Sequence, residues 1–441
     1  MNKKDKNLID TLVDPFQRFF QIEASGSILL FIATLVALLW ANSRWDIFYT
    51  ELWENNLSIK LNGFVLSRSL LHWINEGLMA VFFFVIGLEI KREILVGELS
   101  SLKQGTLPVI AAIGGMIFPA FIYYALSKNT VTEAGWGIPM ATDIAFSLGV
   151  LNLLGKRVPV NLKVFLVAFA IIGDLGSVLI ITLFYSAGIN FSFLIIGLGL
   201  FFVLVLFHQL RIRNYHIYMV IGFVIWYMFL RSGIHPTFAG ILIAFTIPMR
   251  RKIRVPVFKK RMIENLNVFS SKSGSYKKLL NKRQLAGIDN MEDEIEKVQS
   301  PLQFLEHKLH GFVTFIVIPL FALANAGIVF KAFSAEEFFN STSLNVELSL
   351  IIGKLSGLVI FSWISIKIGI ASLPEKTRWI HLIGLGLLGG MGFTMSLFIS
   401  NLAFTDPGLI NYAKIGILTG SLVSGLLGFL VLRFSLTKQK A

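Results

Sequence analysis

The sequence predicts an all-α, polytopic membrane protein with twelve transmembrane spans and a small external β-hairpin. Three observations carry that prediction. Of 441 residues 55% are hydrophobic and only 15% charged, with a mean hydropathy of +0.71, a balance typical of membrane proteins rather than multi-domain soluble chains. The apolar residues fall in long runs separated by basic clusters. With the N-terminus inside, 32 of the 40 Lys and Arg lie on or near the cytoplasmic face, the asymmetry that orients membrane proteins. The net charge of +14 does not read as a nucleic-acid surface, because the basic residues form no single face or stripe. Cysteine is absent, which excludes thiol chemistry.

In chain order, residues 1–22 read as a cytoplasmic tail with a short amphipathic helix around Pro15 to Phe20, and residues 23–248 hold spans I to VIII. Span I, about Ala24 to Ala41, is a retained helix rather than a cleaved signal, since many spans follow it. Residues 42–69 form an outside segment in which Leu57-Ser-Ile-Lys-Leu61 alternates in polarity before Asn62-Gly63, a strong hairpin signal whose exposed edges suit pairing with a second subunit. Span II (about Leu70 to Val96) carries Glu76 near one end and Glu89, Lys91, Arg92 and Glu93 near the other. Span III (Thr106 to Leu126) contains Pro108, Gly114, Gly115 and Pro119, which are expected to break its regularity. Span IV (Gly135 to Leu154) has Pro139 ahead of Thr142 and Asp143, so an interruption is expected close to that Asp.

Span V, Val164 to Ser186, holds one ionisable group, Asp174, which a helix rising 1.5 Å per residue places near the bilayer midplane. Spans VI to VIII follow at Phe191 to His208, Tyr215 to Phe229 and Gly233 to Pro248; His235 before Pro236 reads as a helix start. Residues 249–301 turn polar and charged and read as a cytoplasmic loop of solvated helix or disorder. Residues 302–436 hold spans IX to XII, and 437–441 a cytoplasmic tail. Span IX carries Glu306, His307 and His310, span X carries Lys354, and span XI contains a glycine-rich centre, Gly384 to Gly392, that allows an unwound segment.

Asp143, Asp174 and Lys354 therefore sit deep in apolar spans. A midplane Asp costs about 2.5–3.5 kcal/mol on insertion scales, and a chain that keeps one generally uses it for an ion, a proton or a substrate. Carboxylates beside unwound backbone suit a small cation, and oxygen ligands without Cys or clustered His favour an alkali cation over a transition metal. Interruptions in opposite parts of the chain suit an inverted repeat.

Long blocks carry a more specific signal: GLEIKREILVGELSSL (87–102), PVIAAIGGMI (108–117), IPMATDIAFSLGVL (138–151), PLFALANAGI (319–328), IGKLSG (352–357) and GGMGFTMSLFISNLAF (389–404). In these the sequence resembles the bacterial NhaA-type sodium–proton antiporters over nearly its whole length. The resemblance implies twelve helices in inverted repeats with the interrupted spans IV and XI crossing, residence in the inner membrane, and exchange of cytoplasmic Na+ or Li+ for external H+ in sodium and pH homeostasis, with no cofactor. It implies that Asp174 is the alternating cation and proton ligand, that Thr142 and Asp143 shape the site, that Lys354 is the midplane cation, and that Glu89, Arg92, Glu93, Glu306 and His310 form a pH-sensing region. It also fits a homodimer formed through the external hairpin.

One position departs from the family pattern. Two consecutive aspartates are usual in span V, and here they are Gly173 and Asp174. The missing carboxylate is the family's partner for the span X lysine, so Lys354 must bond elsewhere, to Asp174 or to freed carbonyls, or be neutral. Three functional readings follow: a sodium–proton antiporter, a protein of the same fold with electroneutral or lost transport, and, remotely, an intramembrane aspartyl protease built on Asp143 and Asp174. The protease pattern is a poor match, since neither Ile171-Ile-Gly-Asp174 nor Thr142-Asp143 supplies the required Gly-x-Gly-Asp and Tyr-Asp.

Overall fold

The computed structural model describes residues 25–61, 64–100, 102–186, 188–269, 280–328, 339–375 and 377–436. The expected tail helix, the Asn62-Gly63 turn and the C-terminal tail lie outside them. Helix α1 (Ser25–Ala41) meets α2 (Asp46–Glu54) at a bend of 114°. Strands β1 (Asn56–Leu61) and β2 (Phe64–Ser69) pair antiparallel, with Asn56 opposite Ser69 and Leu61 opposite Phe64. Ser69 then accepts from the His72 N–H at 3.3 Å and starts a helical rod that passes through a wide turn at Trp73–Leu78 into α3 (Met79–Val96).

Next come α4 (Leu102–Ser127), a 3₁₀ stretch at Glu133–Met140, α5 (Ile144–Leu153), α6 (Val160–Phe184), α7 (Phe191–Gln209), α8 (Tyr215–Ser232) and α9 (Pro236–Thr246). His235 precedes Pro236 at the start of α9, where proline's fixed φ and missing N–H cost nothing. The polar stretch contains α10 (Val255–Leu266) and α11 (Lys282–Val298). The chain ends with α12 (Pro301–Asn325), α13 (Ser341–Lys367), α14 (Trp379–Gly389), α15 (Phe393–Ala403) and α16 (Pro407–Ser435). Among the described residues six helices are long and apolar enough to cross a membrane, or up to nine if each bent pair is one span.

Two expectations change. Pro108 and Pro119 do not break α4, which runs unbroken through both. Its glycines serve close packing instead: a Cβ on Gly357 of α13 would collide with the Gly114 backbone of α4, and one on Gly353 with Pro119. Around Pro119 that close packing offsets the backbone hydrogen bond the proline removes. In span IV the break falls at Ala141 to Asp143, where an interruption is expected; what changes is that the stretch ahead of it is 3₁₀ rather than α-helix, with Pro139 inside it.

Buried side chains form a central cluster with contributions from α1, α3, α6, α12 and α15, flanked by one built on α4, α6, α14 and α16 and another on α3, α8 and α9. The α4–α13 seam has no slack. Gly357→Ala is therefore expected to destabilise the protein by about 1–3 kcal/mol, read as a lower thermal midpoint in detergent; an unchanged midpoint would mean that the two backbones are not held at this distance.

Candidate functional site

The site forms where two broken segments abut. The 3₁₀ stretch and α5 bend by 42° across residues 141–143, and α14 and α15 by 46° across residues 390–392. At each break backbone groups lose their helical partners and must find others away from water. They find them across the gap. The Asp143 N–H donates to Met391 O at 2.6 Å, the Thr142 hydroxyl to Gly389 O at 3.1 Å, the Ser147 hydroxyl to Leu388 O at 2.8 Å and the Ser396 hydroxyl to Ile138 O at 2.8 Å.

Asp143 caps both second halves. Its Oδ1 accepts from the Phe146 N–H at 3.1 Å on α5, and its Oδ2 accepts from the Thr394 N–H at 3.0 Å and the Thr394 hydroxyl at 2.6 Å on α15. A carboxylate shared between two helix N-termini meets the partial positive charge of both. Thr394 escaped the sequence reading. The signal was a threonine just past the glycine break of an otherwise apolar run, the counterpart of Thr142 in span IV.

Asp174 is placed differently. It lies on the buried face of α6, 2% exposed, and its Oδ1 has no hydrogen-bond partner among the described residues. A cavity of about 50 Å³ reaches it, lined also by Glu89, Thr142, Asp143, His310 and Thr394. One water needs roughly 10–15 Å³, so the cavity has room for a cation or a few waters. No hydrogen bond joins Asp174 Oδ1 to Asp143, whose two oxygens accept from donors on α5 and α15.

Lys354 is fully buried and follows the wide turn at Ser349–Gly353 in α13. Its Nζ donates to Met140 O and, at 2.9 Å, to the Thr142 hydroxyl oxygen, while lying 5.7 Å from the Phe169 ring centre. Of the alternatives open to a lysine lacking its usual carboxylate, it takes a carbonyl freed by the broken span. At Gly173 an added Cβ would meet only the Thr142 Oγ1 within 4 Å, at 3.8 Å, so the position can hold a side chain beside the group that Lys354 already touches.

The expected pH-sensing residues come together at one end of the cavity. Arg92 pairs with Glu93 at 2.9 Å and with Glu306 at 3.1 Å, and His310 Nδ1 lies 3.4 Å from Glu89 Oε1. Glu89 and Glu93, one turn apart on α3, thus have separate partners. Lys91 does not reach toward solvent; it is buried and donates to Phe245 O and Ile247 O, both at 2.6 Å, at the end of α9. His307 is exposed, apart from this group, and Glu76 lies at the opposite end of the rod, where its backbone oxygen accepts from the Trp226 indole N–H at 3.0 Å.

Toward that opposite end, past the cavity, the interior is closed. Phe398 packs against His235, Phe83 and Phe321 at ring distances of 5.1, 6.0 and 6.2 Å. Next to this layer Asn325 joins Asn75 and Asn401: Asn325 Nδ2 donates to Asn75 Oδ1 at 2.9 Å, and Asn401 Nδ2 to Asn325 Oδ1 at 2.8 Å. The three amides lie on three different spans, a pattern no single stretch of sequence displays.

Comparison with known proteins gives this arrangement its family. The family model described as Na+/H+ antiporter 1 matches residues 17–432. A protein of Oleidesulfovibrio alaskensis named Na(+)/H(+) antiporter NhaA is 47% identical over 96% of this chain and 95% of its own length. Proteins with the same name from Phocaeicola vulgatus and Acidithiobacillus ferrooxidans are 44% and 45% identical, each over 97% of this chain and over 97% and 99% of their own lengths. The chain belongs to the Na+/H+ antiporter 1 family.

Proposed function

We propose that this chain exchanges cytoplasmic Na+, or Li+, for external H+, with Asp174 carrying the cation and the proton in turn. The observation that carries this reading is the buried Asp174 carboxyl with an unpartnered oxygen at the end of a small cavity. A carboxylate in that position is costly unless it is protonated or holds a cation, so each ligand displaces the other. The Thr142 hydroxyl and backbone oxygens at the break supply the hard donors Na+ prefers. Asp143, held by donors from two helices, is a fixed charge that shapes the site rather than a proton carrier. The reading includes twelve spans in inverted repeats with IV and XI crossing, both termini and residues 249–301 in the cytoplasm of an inner-membrane protein, and an external β1–β2 hairpin through which two copies pair.

In this reading the Glu89–His310 end of the cavity faces the cytoplasm, and the phenylalanine and asparagine layers close the outer side. Exchange requires these to part while the inner end closes. The test of the function is sodium-driven proton movement in proteoliposomes. Asp174→Asn is expected to abolish it while leaving folding intact, because a neutral amide is cheaper to bury than a carboxylate. Sodium-dependent release at the parent level in that variant would remove Asp174 from its role.

The ion pairs of Arg92 and the contact of His310 with Glu89 support a pH-sensing role for Glu89, Arg92, Glu93, Glu306 and His310. Glu93→Gln or Glu306→Gln should move the activity profile along the pH axis with little loss of maximal rate. A uniform fall at every pH would point to a structural role.

Gly173 bears on stoichiometry. Without a carboxylate beside Lys354, the proton-linked groups of span V reduce to Asp174, and we propose a one-for-one exchange that moves no net charge. The competing outcome is lost transport: a charged Lys354 about 6 Å from the cation would cost about 3 kcal/mol at an effective dielectric near 20. The open space at residue 173 supports a clean test. Gly173→Asp is expected to make exchange voltage-sensitive; current during exchange by the parent protein would contradict the electroneutral reading.

A further inference from the structure

Helix α10 takes no part in the site and makes little use of its own outer face. It turns Phe258 and Met262, both half-buried, and Arg261 toward the rest of the protein, and Arg261 Nη1 donates to Glu294 on α11 at 3.0 and 3.1 Å. The face turned away carries Val255, Ile263 and Leu266, which are 51%, 51% and 54% exposed, with Lys259 between them and Lys260 at its edge. Arg250, Arg251, Lys252 and Arg254 precede the helix. Among the described residues none of these six cations pairs with an acid. Asp293 and Glu296 of α11 line a groove together with Arg250 and Lys252, away from Lys259 and Lys260, and Lys297 bonds Asp293 and Glu294, which holds the Glu294 carboxyl below its usual range.

The helix is also tethered. Lys252 and Ile253 donate their backbone N–H groups to Lys297 O at 3.0 and 3.3 Å, and the Leu302 N–H donates to Pro248 O at 3.2 Å, so both ends of the segment are stapled where α9 ends and α12 begins.

We propose that α10 is an interfacial helix that lies on the cytoplasmic leaflet, with Val255, Ile263 and Leu266 entering the headgroup region and the cations around them binding anionic lipid phosphates. The inference rests on the orientation given above, in which residues 249–301 are cytoplasmic. Apolar and cationic side chains interleaved on one exposed face are the pattern of helices that bind charged membrane surfaces. The bilayer is favoured over an acidic protein because the staples keep α10 at the ends of two spans, where lipid is always within reach.

The absence of native cysteine makes the test direct, since Val255→Cys provides a single labelling site in the full chain. An environment-sensitive thiol fluorophore there should emit at shorter wavelength in vesicles containing phosphatidylglycerol than in pure phosphatidylcholine. Adding Lys259→Glu and Lys260→Glu should abolish the difference without changing sodium–proton exchange. Identical spectra in the two lipids, or a difference that survives the charge reversals, would overturn the lipid contact. Labelling of Val255→Cys by a membrane-impermeant thiol reagent outside intact cells would instead overturn the orientation.

Discussion

The structure depends on one constraint: backbone groups released at two helix breaks must be matched inside the protein, away from water. An unmatched buried donor or acceptor costs about 1–3 kcal/mol, and each break releases several. The solution places the breaks against each other so that each supplies what the other lacks. Met391 O receives the Asp143 N–H, Gly389 O the Thr142 hydroxyl, and Asp143 Oδ2 the Thr394 N–H and hydroxyl. Small residues are needed for this. A Cβ on Gly392 would press against Ala141 O, and one on Gly389 would meet the Phe169 ring at 2.8 Å.

The same constraint separates the roles of the two aspartates. Asp143 directs its two oxygens to the helix starts, so it holds the breaks together. Asp174 sits on the unbroken α6, where the backbone needs nothing from it, and its Oδ1 has no hydrogen-bond partner among the described residues. Lys354 follows the rule from the cationic side. Met140 O and the Thr142 oxygen accept from it, which satisfies two of its three donors without a carboxylate, so Gly173 leaves the lysine rehoused rather than stranded.

Helices were legible wherever the sequence carried a local signal. Long apolar runs marked those long enough to cross a membrane, and a lone Asp174 stood out in one of them. His235-Pro236 marked the start of α9. Pro119 misled because a proline's local cost can be offset by a neighbour, and here Gly353 packs against it from more than 200 residues away in the chain. Thr394 stands just past the glycine break of span XI, but that position alone does not say that it faces Asp143. The Asn75–Asn325–Asn401 group was illegible for a related reason. Each asparagine looks ordinary in its own span, and only packing brings the three together.

Helix α15 links the site to the closed end. Thr394, Phe398 and Asn401 stand at i, i+4 and i+7, a spacing that places them on one face of a helix. The first binds the site's fixed anion, the second packs into the aromatic layer, and the third bonds to the amides. A helix of this length moves as a rigid rod more readily than it bends, so a displacement that follows the charge state of the site is carried to Phe398 and Asn401 together. Moving α15 away from α12 breaks the one amide hydrogen bond from Asn401 to Asn325 and separates apolar faces, a modest cost next to burying a charged carboxylate without a partner. In the exchange proposed above, the strongly unfavourable state is the empty, ionised site, and avoiding it would couple ion to proton.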